Sequence, residues 1–216
     1  MKLPKVRDVC YLQHMPPTQA TTLINQAIAA LGYDGYTPAL LYAHIGPILD
    51  YLNTQVHAFN PISIGTTGTI LEQLCRFGLD AAVAGTTATV HRMPQQWKWV
   101  GDFSISGDPF NLVVSCKSFK ARERLLASGS GSALSPTIGW GAFNDPAEFT
   151  SGRITSYAYR GFVAVYMPDA TRAELTQGAL NFTNINGRPF IRARESMVAD
   201  LHAAINAHGR INPRLL

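Results

Sequence analysis

The run Arg160-Gly-Phe-Val-Ala-Val-Tyr-Met167 constrains the fold more than any other stretch of the chain. From Phe162 onward it is unbroken in apolar and aromatic residues. A strand with one wet face alternates apolar and polar residues, whereas a run without alternation reads as a strand covered on both sides, typical of a parallel sheet. Such a strand needs helices on both faces, and 216 residues are enough to supply them and bury a core. The helical patterns are present. Ala20, Leu23, Ile24, Ala27, Ile28 and Leu31 recur at helical spacing, with Gly32 a natural stop. Thr37 is a good N-cap and Pro38 a good first residue for a second helix, with Leu41, Ile45, Ile48, Leu49 and Leu52 as its apolar stripe and a kink at Pro47. A third helix is expected over 69–77, ended by Gly78. A short one is expected over 119–127, running into the flexible-looking Ser128-Gly-Ser-Gly-Ser132, and a last one over 195–208 carries Met197, Val198, Leu201 and Ile205 on one face. The expectation is one α/β domain with a central mixed sheet flanked by helices. It divides into an N-terminal helical layer (1–66), a core (67–170) and a basic C-terminal extension (171–216).

Composition narrows the function classes. With 46% hydrophobic and 15% charged residues the chain is globular, not disordered, and its net charge of +4 favours an anionic partner. The N-terminal Met1-Lys-Leu-Pro-Lys-Val-Arg7 has no apolar run behind it and does not read as a secretory signal. No stretch approaches the roughly 20 apolar residues of a membrane span, so a cytoplasmic location is expected. Cys10, Cys75 and Cys116 lie far apart without a CxxC pair, and the six histidines form no HExxH or Cys/His cluster. These cysteines read as reduced, buried thiols, and zinc chemistry is disfavoured.

The chemistry concentrates between residues 98 and 117. Lys98-Trp-Val-Gly-Asp-Phe-Ser-Ile105 and Asn111-Leu-Val-Val-Ser-Cys-Lys117 are strand-like, and Ser106-Gly-Asp-Pro-Phe110 between them is a turn sequence, which gives an antiparallel hairpin. Residues i and i+2 of a strand share a face, so Ser115 and Lys117 project together and Cys116 points the other way into the core. The hairpin brings Asp102 alongside them. An aspartate so placed can hold a hard, oxygen-seeking Mg²⁺, and a lysine beside it can position a water and stabilise charge developing on a phosphate.

This acid-then-xK arrangement on consecutive strands resembles the PD-(D/E)xK nuclease superfamily, in the SxK variant found among type II restriction endonucleases. Lys117-Ser-Phe-Lys-Ala-Arg-Glu-Arg124 also looks like the segment that follows the catalytic lysine in some of these enzymes. The resemblance covers roughly residues 69–167 and implies an αβββαβ core. It implies Asp102, Ser115, Lys117 and Glu123 as catalytic residues with Mg²⁺ as cofactor. Ser115 stands where the family usually has Glu or Asp, and the missing carboxylate would come from Glu123 on the following helix, with Glu72 on the third helix as its rival. Asp108 could replace Asp102 as the first acid, although its Gly-Asp-Pro setting looks like a plain turn. Candidate DNA contacts are Lys120, Arg122 and Arg124 after the lysine, Arg153 and Arg160 before the core strand, and Arg188, Arg192 and Arg194 in a tail that also carries Arg210 and Arg214. The implied activity is hydrolysis of double-stranded DNA at a short specific sequence within a restriction-modification system, by a homodimer on a palindromic target. Two other classes compete: a DNA-binding protein without catalysis, and a small-molecule α/β enzyme that cradles a phosphate in the loop Gly65-Thr-Thr-Gly-Thr69.

Overall fold

A computed structural model describes residues 18–118, residue 125 and residues 135–216. Six strands form one mixed sheet in the order β1-β2-β3-β4-β5-β6. They are β1 (Thr89–Arg92), β2 (Phe103–Ser106), β3 (Leu112–Lys117), β4 (Thr137–Gly141), β5 (Phe162–Met167) and β6 (Ile191–Ala193). The first three strands are an antiparallel meander, and β3 to β6 run parallel. The expected hairpin exists, with Phe103 opposite Val114 and Ile105 opposite Leu112. Its first arm is shorter than expected. Gln95–Trp97 is a 3₁₀ turn, and the Val100 amide closes back on the Trp97 carbonyl at 2.9 Å, so residues 98–101 are not strand. As the apolar run requires, β5 is interior, with every residue but Val163 buried.

Between the hairpin and β5 lies β4, absent from the sequence reading. Two of its five residues are glycine, which lowers the strand signal, yet all five are buried. The short edge strands β1 and β6 also escape a periodicity argument.

The two sheet faces carry separate cores. Leu112, Val114, Cys116, Ile138, Trp140, Ala164 and Tyr166 belong to one. Val165, Met167 and Ile191 belong to the other, together with Leu125, Phe143, Phe149, Phe190 and the side chains of α5 (Ser151–Tyr159) and α7 (Gln177–Leu180). Between β5 and α7 lies the short α6 (Asp169–Ala173).

The first face is covered by a helical layer. Helix α1 (Gln19–Ala30) starts at Thr18, whose hydroxyl accepts from the Thr21 amide, and ends at Gly32 with φ +71°, a conformation that favours glycine. Helix α2 (Pro38–Ala43) is capped by Thr37 as expected. The kink expected at Pro47 is a break at His44, after which α3 (Ile45–Tyr51) begins anew. Pro47 then sits in a first turn, where its missing N–H has no helical partner to lose. A wide turn over Leu52–His57 follows.

The third helix differs most from expectation. Helix α4 (Ile64–Val83) runs for 20 residues from an N-cap at Ser63, and it contains both the Gly65–Thr69 segment expected as a loop and the Gly78 expected as a stop. Gly78 is needed for packing. A Cβ there would stand 2.4 Å from the Tyr42 ring and 2.7 Å from the Met197 methyl. The expected last helix is a 3₁₀ turn at Arg194–Ser196 and then α8 (Met197–Ala204), which ends because Ile205 is extended. Since α8 packs on α4 and β6 pairs with β5, residues 171–216 complete the sheet and its helical layer. Among the described residues no helix is long and apolar enough to cross a membrane.

Candidate active site

Asp102 directly precedes β2, and its amide donates to the Val114 carbonyl at 2.8 Å, which carries the ladder one residue past the strand end. That bond aims the carboxylate at the end of β3. There Oδ2 accepts from the Cys116 amide at 2.7 Å and from Lys117 Nζ at 3.2 Å. The two residues expected to meet are thus in contact, and both are buried, at 7% and 9% exposure. Burial lifts the Asp102 carboxyl above its ordinary value; the Lys117 cation offsets part of this, and the nearby Glu72 carboxylate adds to it.

The pair faces a cleft of about 410 Å³ at the carboxyl ends of the parallel strands, where open α/β sheets generally bind ligands. Helix α4 contributes Ile64, Gly65, Gly68 and Glu72 to it; the turn before Asp102 contributes Lys98 and Trp99. Glu72 accepts from Arg92 Nη2 at 2.5 Å and from Lys98 Nζ at 3.1 Å, which ties α4 to β1 and to the turn. Three cations and two carboxylates leave this site with one net positive charge. The sequence reading does not single out Arg92, Lys98 or Trp99. For Lys98 and Trp99 the signal is the Trp97-Lys98-Trp99 cluster just ahead of Asp102, part of which the strand expectation absorbed.

The other expected residues are placed differently. Ser115 is fully buried one pleat further into the sheet, and its hydroxyl has no hydrogen-bond partner among the described residues. Asp108 lies at the far end of the hairpin, exposed and 3.6 Å from Arg210, well removed from Lys117 along the strand. Arg153 donates to the Ala147 carbonyl at 2.6 Å. Arg160 and Arg188 are exposed, and Arg160 precedes β5 at the sheet end opposite the cleft. Arg192 and Arg194 are buried. Arg192 donates to Asp200 at 2.9 Å, which joins β6 to α8, and Arg194 donates to its neighbour Glu195 at 3.1 Å within the 3₁₀ turn. Glu123, Lys120, Arg122 and Arg124 lie outside the described residues.

The chemistry of the donor set fits Mg²⁺. Asp102 and Glu72 offer hard carboxylate oxygens to one cleft, and Mg²⁺ is commonly held by one or two carboxylates with substrate phosphate and water completing its shell. Among the described residues no group of three or more His, Cys, Asp or Glu side chains converges, so water and substrate oxygens would have to supply the rest of an ion's shell. The Gly65–Thr69 segment, expected as a loop, forms the first turns of α4. Compared with family models, with curated proteins and with solved structures, the chain matches none.

Proposed function

We propose that this chain is a Mg²⁺-dependent type II restriction endonuclease that hydrolyses double-stranded DNA at a short specific sequence. The observation that carries the reading is the buried Asp102–Lys117 contact at the mouth of a cleft that also contains Glu72. The element order supports it. Helix α4, three antiparallel strands and then a strand parallel to the third follow the αβββαβ core that the sequence resemblance implies.

In this reading Asp102 and Glu72 would hold the ion, which when bound would polarise the scissile phosphate and lower the pKa of a water. Lys117, steadied by Asp102, orients the attacking water and offsets charge building on the phosphate. Arg92 and Lys98 balance Glu72 when the cleft is empty of substrate and can turn to phosphate oxygens when DNA arrives. The low exposure of Asp102 and Lys117 keeps bulk water from screening these interactions.

The test is digestion of a complex DNA with Mg²⁺ and with EDTA, followed by sequencing of the ends. Discrete ends at one motif in Mg²⁺ alone are expected. Asp102→Ala and Lys117→Ala should each lower cleavage by at least about 100-fold while the protein stays folded. With Glu72 in the cleft, Glu72→Gln should lose more Mg²⁺-supported activity than Glu123→Gln, and the reverse order would assign the second carboxylate to Glu123. Near-native cleavage by Asp102→Ala or Lys117→Ala would remove that residue from the mechanism. Retention of DNA without any cleavage would leave a binding protein.

A further inference from the structure

Two features of the cleft are not used by hydrolysis. The first is aromatic. Of three tryptophans, Trp140 is fully buried, donating its N–H to the Tyr42 hydroxyl at 3.0 Å, whereas Trp97 and Trp99 are 50% and 57% exposed. Their rings lie 6.1 Å apart on either side of Lys98, and Trp99 lines the cleft. An indole is among the largest apolar surfaces a protein can own, and a half-exposed one beside a buried charged pair is a surface prepared for contact.

The second feature is the part of the lining that α4 supplies. Gly65 and Gly68 line the cleft one turn apart on α4, and each costs the helix up to about 1 kcal/mol relative to alanine. A Cβ at either position would meet nothing within 4 Å, so the protein's own packing does not demand glycine there. Gly78 on the same helix does have such a packing reason, in Tyr42 and Met197. Ile64, exposed at 81%, precedes the two glycines and also lines the cleft.

We infer that the cleft takes one nucleobase of the DNA, unstacked from its neighbours and laid on the Trp99 indole, with the glycine face of α4 leaving room for it. A nucleobase is flat, apolar on its faces and attached to a phosphate, which suits a lining that combines the Trp99 indole, the two glycines and the cations Lys98 and Lys117. Stacking on an aromatic tolerates any base, so Trp99 contributes affinity and local opening of the duplex, and base-edge contacts elsewhere contribute the choice of sequence. The inference rests on the nuclease reading for its ligand, but its test does not require cleavage.

The full chain is titrated in EDTA against a labelled mixed-sequence single-stranded oligonucleotide, and against an abasic sugar-phosphate oligomer of the same length and charge. The base-bearing oligomer should bind more tightly. Trp99→Ala should weaken it roughly tenfold and leave abasic binding unchanged, while Trp99→Phe keeps most of the affinity. Gly68→Leu should weaken base-bearing binding in the same way, with a melting temperature no lower than that of the parent, because leucine favours the helix and the position is open. Equal affinity for the two oligomers, equal loss on both in Trp99→Ala, or unchanged binding in Gly68→Leu would overturn the inference. Mg²⁺ cleavage without base-sensitive binding leaves the nuclease standing and removes the stacked base. Base-sensitive binding without cleavage does the opposite.

Discussion

Asp102 is held in its buried position at a cost. Its carboxylate accepts from an amide and an ammonium, yet burial still lifts its pKa above the ordinary value of 3.8. In the metal-free chain, as pH rises past that value, the folded state keeps a proton that the unfolded chain has lost. This group's contribution therefore turns against folding as pH rises through its folded-state pKa. Asp102→Asn removes that dependence while keeping an oxygen for the Cys116 amide. We expect the metal-free variant at neutral pH to melt at or above the wild-type temperature, although cleavage is lost. A fall of several degrees would show that the Lys117 ion pair outweighs burial. Asp102 and Lys117 were legible in the sequence because strand alternation and a hairpin turn are local rules. Glu72 could be placed only as a rival to Glu123. Its arrival at the cleft depends on how α4 crosses the sheet, a contact about thirty residues away from Asp102 in the chain.

At the scale of elements, α4 separates propensity from packing. Gly78 should raise helix stability when replaced by alanine, by about 1 kcal/mol from propensity alone. The same methyl would lie 2.4 Å from the Tyr42 ring, and overpacking of this kind costs about 1–3 kcal/mol. We predict that Gly78→Ala lowers the melting temperature by a few degrees, whereas Gly46→Ala on α3, with nothing within 4 Å of its new Cβ, leaves it unchanged or slightly raised. Thermal denaturation of the two variants decides the matter, and stabilisation by Gly78→Ala would contradict the close approach. The same conflict explains where the sequence misled. Glycines at 65, 68 and 78 read as a loop and a stop because local preference opposes helix there, and long-range contacts with Tyr42 and Met197 are invisible in a single chain of letters. Glycines hid β4 in the same manner, while β5 declared itself because burial on both faces leaves a composition that needs no partner to be recognised.

For the whole molecule, cutting both strands with one such cleft per chain is simplest for two chains related by a twofold axis, which calls for a palindromic target. Among the described residues of the N-terminal layer, Leu40, Phe59 and Ile64 are exposed. Ile24, Ala27, Ile45, Ile48 and Leu52 are buried in the same core as α4. We expect two chains to pair in solution or on DNA, and sedimentation with a cognate duplex should find two chains per duplex. One chain per duplex with concerted double-strand cleavage would rule the dimer out. The layering has another consequence, for measurement. Cys75, a free thiol with no solvent exposure, lies on α4 three residues after Glu72. An alkylating reagent reaches it only when the helix lifts from the sheet, and anything that grips Glu72 must first let go. The rate of Cys75 alkylation is therefore a clock wound by the cleft: it should slow as ligand is added, and the factor of slowing reads out the affinity without any cleavage being observed.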